Sequence, residues 1–226
     1  MILTVGGIKG GSGKTTVATN LAVIAAAAKQ DVLLVDADDQ QTAADFTAVR
    51  KEDHPEAPRY TCAQLTGKAV RTEILELAPR YSHVIIDTGG RDTASQRAAL
   101  SVSDILLVPF VPRSFDMWTI NKTAALVEEM RNINPQLAAY VFLSRSDPEG
   151  QGSENADAEE MLKEIPALSF LDAPVRARKA FAHAASHGLA VTELTGKHAN
   201  AKAAAEIMTL YKRCFKVKST LKVAEA

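Results

Sequence analysis

Apolar residues along this chain gather in short unbroken runs. Ile2-Leu3-Thr4-Val5 opens it. Asp31 to Ala37, His83 to Asp87, Ser103 to Pro109 and Ala138 to Leu143 follow, each nearly free of polar residues inside. A strand buried on both faces reads this way, and such strands belong to parallel sheets with helices on either side. Tyr60 to Leu65 and Leu168 to Leu171 are shorter strand candidates. Between the runs lie helical stretches: alanine-rich Val17 to Ala28, residues 43–52, Gly67 to Arg80, Met117 to Arg131, residues 156–164 and Val175 to His187. In Gly67 to Arg80 the apolar Ala69, Val70, Ile74, Leu75 and Leu77 share one side. A last helix carries Met208, Leu210, Tyr211 and Phe215. The alternation predicts a doubly wound α/β domain. Its mostly parallel sheet has Ile2–Val5 near the centre, helices on both faces and a ligand site at the strands' C-terminal ends.

The polar residues that end the runs carry the chemistry. After the first run comes Lys9-Gly10-Gly11-Ser12-Gly13-Lys14-Thr15-Thr16, which leads directly into a helix. Strand, glycine-rich turn and helix form the setting of a phosphate-binding loop, where backbone N–H groups and the helix N-terminus face an anion. Lys14 is placed to reach the β- and γ-phosphates, and the Thr15 hydroxyl to ligate Mg²⁺. His83-Val84-Ile85-Ile86-Asp87 ends an apolar run in a carboxylate, so Asp87 is a second Mg²⁺ candidate, acting through water. The loop departs from the plain motif G-x-x-x-x-G-K-[ST], with Ile8 at the first glycine position and a second lysine, Lys9, after it.

The segment K-G-G-x-G-K-T-T resembles the deviant Walker A loop of the ParA/MinD family of dimerising ATPases, and the resemblance extends over nearly the whole chain. It implies MgATP as the ligand, bound by residues Lys9 to Thr16. It also implies that Lys9 crosses a dimer interface to the partner's nucleotide. Asp36-Ala37-Asp38-Asp39-Gln40 is similar to the family's D-x-D-P-Q segment, with Asp39 in place of proline. By that match Asp36 lies near the Mg²⁺ shell and Asp38 positions the attacking water, although both aspartates would equally cap the next helix. Gly89 or Gly90 would sense the γ-phosphate, next to an atypical Arg91-Asp92. Arg145, in Ser144-Arg145-Ser146-Asp147-Pro148, falls at the position that contacts adenine. The segment from Val102 to Asp116, with Pro109 and Pro112, resembles that of short plasmid-partition ATPases of the ParF kind, and Leu189 to Glu193 the family's closing stretch.

The implied activity is slow, partner-stimulated ATP hydrolysis. An ATP-sandwiched homodimer would bind DNA non-specifically and respond to a ParB-like adaptor. Partition of a plasmid or chromosome, a VirC-like role in conjugation and a MinD-like membrane cycle remain open as the biological task.

Charge and composition refine this picture. Hydrophobic residues are 46% and charged residues 23% of 226, an ordinary globular balance, and the net charge is −1. DNA contact therefore requires a local patch. The run from Tyr211 to Lys222 supplies one, with Lys212, Arg213, Lys216 and Lys218 as candidates and Arg176, Arg178 and Lys179 as an extension. A solvated helix end or a membrane-surface helix would read similarly. Cys62 and Cys214 have no metal spacing and read as reduced thiols of a cytoplasmic protein. The apolar runs are too short for membrane insertion, and no leader is expected. His183 and His187 stand four apart but read as ordinary surface or packing residues. One ATPase domain is expected over residues 1–217, with a short basic tail at 218–226.

Overall fold

The computed structural model describes residues 1–112, 117–149 and 153–221. Eight strands lie in it: β1 (Ile2–Val5), β2 (Val32–Ala37), β3 (Thr61–Gln64), β4 (His83–Thr88), β5 (Ile105–Phe110), β6 (Ala138–Ser146), β7 (Ser169–Phe170) and β8 (Val175–Arg176). Their order is β3-β2-β4-β1-β5-β6-β7, with β8 also on β6, and every pairing is parallel. Strand β1 is thus central, as its position at the start of the chain predicts.

The helices are α1 (Lys14–Ala27), α2 (Thr42–Asp53), α3 (Ala69–Leu77), α4 (Ala94–Leu100), α5 (Met117–Arg131), α6 (Ser153–Lys163), α7 (Lys179–Ala185) and α8 (Ala201–Leu221). Alternate side chains of each strand go to opposite faces. Leu34, Ile85 and Leu107 pack with α1, α2, α7 and α8. Leu106, Val108 and Val141 meet α5 and α6, and Leu33, Val35 and Ile86 meet α3. Helix α1 is buried from Val17 to Ala26, which explains its small residues. It lies against the sheet and also against α8.

Some segments differ from the sequence reading. Val175 to His187 is not one helix. Residues 175–176 pair with β6, because Ala177 N donates to Ser146 O at 2.9 Å, and the helix begins only at Lys179. Helix α6 starts at Ser153, earlier than expected, and α4 is an addition. Pro109 lies inside β5 rather than ending it, opposite Phe142. Residues 113–116, including Asp116 of the proline segment, lie outside the described residues, as do residues 150–152. Helix α8 runs through the 217/218 boundary to Leu221.

The closing stretch is tied to α2. Arg50, with its side chain 4% exposed, donates to both Glu193 oxygens at 2.7 and 2.8 Å and to Gly188 O at 3.1 Å. Glu193 also accepts from Ala190 N, and Val191 N donates to Asn20 Oδ1 on α1. Removing one partner of a buried pair strands the other. Arg50→Ala is therefore expected to cost about 3–5 kcal/mol and to lower Tm by roughly ten degrees, read by thermal melting. A shift within error would mean that Glu193 finds water or another cation.

Candidate nucleotide-binding site

The loop after β1 turns sharply into α1. Gly13, the N-cap residue, has φ 93°, and a β-carbon there would stand 3.1 Å from Ser144 Oγ. The left-handed conformation strains any other residue there, and the tight approach to Ser144 adds to the demand for glycine. Strand β6 grips the same loop: Ser144 Oγ donates to Ser12 O at 2.7 Å, and Arg145 Nη1 donates to Gly11 O at 2.9 Å. Arg145 itself adopts φ 51°, a conformation that costs a non-glycine residue energy. From the other side comes the loop after β4. A β-carbon on Gly90 would lie 2.7 Å from Gly10 Cα, so the glycine at 90 makes this approach possible. Lys14 is 7% exposed, and its Nζ donates to Lys9 O at 2.7 Å. The Lys9 side chain is exposed.

Below the loop, the parallel register sets Asp36 opposite Asp87 on neighbouring strands. Their environments differ. Asp36 is engaged twice by backbone: its Oδ1 accepts from Asp38 N at 3.2 Å and its Oδ2 from Ala44 N at 2.8 Å. It shapes the turn into α2, and burial pushes its pKa up against those bonds. Asp87 is fully buried, and neither oxygen accepts a well-formed hydrogen bond. Burial pushes its pKa up to about 7; the nearby Thr15 hydroxyl and Lys14 work downward, Asp36 and Asp38 upward. Burial also lowers the Lys14 pKa, opposed by Asp87 and Asp38. An orphaned carboxylate beside a hydroxyl and a second carboxylate is a hard-oxygen donor set that suits Mg²⁺. Asp38 is half-buried, rests against Gly89 and accepts from Gln40 N at 3.2 Å.

These elements enclose a cleft of about 790 Å³, lined by the P-loop with Asp38, Gly89, Gly90 and Arg145. A side lobe of about 370 Å³ shares Gly13, Thr16 and Arg145 with it and adds Val17, Arg178 and Phe181. Arg91 and Thr93 line the cleft as well. The sequence reading did not assign the lobe, because its far wall comes from β8 and α7. Arg176 and Arg178, read there as an extension of a basic surface, pair with Glu206 of α8 at 3.0 and 2.6 Å. Asp92 is likewise anchored: Arg97 on α4 donates to it at 2.7 and 2.8 Å and also holds Glu129 on α5. Lys212 and Arg213 are exposed on α8, outside the cleft lining. The Lys216 and Lys218 side chains and all of Lys222 fall outside the described residues. His183 stacks on His198 and meets His187, but no metal-holding cluster exists among the described residues.

A model of the CobQ/CobB/MinD/ParA nucleotide binding domain matches residues 3–191. The chain belongs to this family. Among ParA/MinD-type ATPases it is 37% identical over 196 residues to the maintenance of carboxysome distribution protein A of Gloeobacter kilaueensis, covering 84% of this chain and 83% of that one. Its counterpart in Halothiobacillus neapolitanus is 28% identical over 85% of this chain and 87% of its own. The fold of apo McdA from Cyanothece superposes with a TM-score of 0.76 at 17% identity, over 95% of this chain and 98% of that one. The ParA/MinD fold and the nucleotide-binding character of the domain are thereby established. No helix among the described residues is long and apolar enough to cross a membrane.

Proposed function

We propose that this chain is an ATP-fuelled positioning ATPase. MgATP closes two copies face to face, the closed dimer rides on non-specific DNA, and partner-stimulated hydrolysis releases it. The observation that carries this reading is the pair of lysines on one loop. Lys14 is buried and lines the cleft, and Lys9 on the same loop is exposed. A cleft built for one nucleotide uses the first, and the second points to charge supplied to a facing copy. Two opposed triphosphates repel strongly, and lysines crossing between them offset that repulsion.

Within the cleft, Lys14 exchanges the Lys9 carbonyl for phosphate oxygens, and the backbone N–H groups of residues 10–16 surround them. Thr15 and Asp87, with Asp36 beside them, would hold Mg²⁺, which neutralises phosphate charge when bound. Asp38 accepts a hydrogen bond from the attacking water and orients it in line. Its contact with Gly89, and that of Gly90 with Gly10, make the loop after β4 respond to whatever fills the γ-phosphate position. The side lobe takes the base.

The similar proteins are named for the maintenance of carboxysome distribution, which adds a body of that kind to a plasmid or chromosome as what this chain positions. Exposed Lys212 and Arg213 on α8 are the described part of the DNA surface.

Co-sedimentation with DNA in ATP, in ADP and without nucleotide, at two salt concentrations, tests the reading. ATP-dependent, salt-sensitive and sequence-independent binding is expected, and Asp38→Ala should hold the protein in that state by blocking turnover. Glutamates at Lys212 and Arg213 should weaken binding on the order of tenfold, since each removed phosphate contact lowers affinity and flattens the salt slope. Binding to anionic vesicles in place of DNA would shift the matrix to a membrane surface. Normal turnover by Asp38→Ala would remove Asp38 from the reaction.

A further inference from the structure

The cleft lining carries the cations Lys14, Arg91 and Arg145. Two of them are engaged by carbonyls of the glycine loop. Lys14 Nζ donates to Lys9 O at 2.7 Å, and Arg145 Nη1 to Gly11 O at 2.9 Å. Arg91 is different. It is exposed, and its guanidinium has no hydrogen bond or ion pair among the described residues. The carboxylate next to it is already taken: Arg97 donates to both Asp92 oxygens, at 2.7 and 2.8 Å, and reaches Glu129 on α5. The backbone of Arg91 is held on both sides. Before it, Gly90 packs on the glycine loop so closely that a β-carbon would lie 2.7 Å from Gly10 N and 2.9 Å from Lys9 C. After it, Thr93 caps α4, its Oγ1 accepting from Gln96 N at 3.2 Å. Asp38 rests on Gly89, two residues before Arg91.

The main chain therefore keeps Arg91 beside the phosphate loop, and its long side chain has no ion pair to break before it turns into the cleft. Phosphoryl transfer spreads negative charge over the equatorial oxygens of the transferred group, and a guanidinium offers a planar fork of donors to such oxygens. We propose that Arg91 is a further catalytic residue, which contacts the γ-phosphoryl oxygens of the nucleotide in its own chain as charge develops on them. This rests on reading the cleft as a site of ATP hydrolysis. In that step the water oxygen bonds to Pγ while the bond from Pγ to the β,γ-bridging oxygen breaks. The electron pair of the broken bond leaves on ADP. One water proton stays on the phosphate formed, and the other passes to solvent. Arg91 gives up no proton, since a guanidinium stays charged throughout. Lys9 supplies charge to the facing copy, and Arg91 supplies it within the chain.

Two measurements on the full chain with Mg²⁺ test this: single-turnover hydrolysis, and retention of ADP with aluminium fluoride, a mimic of the transferred phosphoryl group. Arg91→Ala should slow the single turnover on the order of 10²- to 10³-fold, the range for losing one preorganised donor to developing charge. Retention of the fluoride complex should fall with it. Affinity for ADP and for a slowly hydrolysed ATP analogue should stay within about twofold, because the contact is made in the transition state. Arg91→Lys keeps the charge but loses the fork, and should fall between. Guanidinium ion added to Arg91→Ala should restore part of the rate and leave the unaltered protein unchanged. Normal turnover and normal fluoride retention in Arg91→Ala would overturn the inference. Equal losses of ADP, ATP-analogue and fluoride-complex affinity, with an earlier melt, would also overturn it, because that pattern marks a residue that only shapes the loop. An unaltered protein that neither binds nor hydrolyses ATP would instead sink the site reading beneath the proposal, and the proposal with it.

Discussion

Lys14→Ala is expected to abolish nucleotide binding at micromolar concentrations. Lys14 is buried in the cleft between the glycine loop and the Asp87–Asp38 pair, and its Nζ is fixed 2.7 Å from the Lys9 carbonyl. A triphosphate arriving there meets a cation whose desolvation has already been met by the fold. Deleting it leaves phosphate charge facing two carboxylates with no counter-charge. Losing one partner of a buried charge pair costs about 3–5 kcal/mol, on the order of 10²- to 10³-fold in affinity. The same deletion leaves buried Asp87 without the cation that favours its charged form. In the nucleotide-free protein, however, Lys14 is a buried cation whose own desolvation outweighs its attraction to Asp87 and Asp38, so the variant should melt no earlier than the unaltered protein at pH 8. Calorimetric titration with MgATP and a melting curve check both. Near-normal ATP affinity in Lys14→Ala would place the phosphates elsewhere.

Lys9→Ala should behave differently, and the contrast is the informative part. Lys9 is exposed, so folding and the monomer's nucleotide affinity should change little. Dimer formation with a slowly hydrolysed ATP analogue should be lost. A cation about 4 Å from a phosphate charge contributes roughly 4 kcal/mol at an effective dielectric near 20, and the symmetric interface would lose that contact twice. A drop of at least about 10³-fold in dimer affinity follows, and hydrolysis falls with it. Analytical ultracentrifugation with and without nucleotide reads the outcome. If Lys9→Ala still dimerises on ATP, the crossed-lysine arrangement is wrong, even though Lys14 would keep its role.

Much of the architecture was legible in residue order. Strands β1, β2, β4, β5 and β6 are apolar runs that only a doubly covered parallel sheet accommodates. The glycine loop announces itself because its chemistry is local: a left-handed Gly13, a helix starting at the next residue, a lysine and a hydroxyl in sequence. Where local pattern misled, a distant partner had decided. Residues 175–176 extend along β6 instead of coiling, because Ser144 and Ser146 offer them backbone partners. Asp92 of the atypical Arg91-Asp92 proved to be anchored through Arg97 to α4 and α5.

The sequence by itself determined the family, the sheet class, the glycine-rich loop and the carboxylates near the ends of β2 and β4, since each is written within a few neighbouring residues. Only the tertiary structure decided how those carboxylates divide their work. The register places Asp36 beside Asp87, yet backbone N–H groups of the next turn occupy Asp36, while Asp87 accepts no well-formed hydrogen bond. It likewise decided that Arg50 meets Glu193, that Gly90 touches Gly10, and that Glu206 of the last helix holds Arg178 against the lobe. These contacts join residues 28 to 143 positions apart. Sheet order does not follow chain order, so no local periodicity encodes them; packing of the whole domain does.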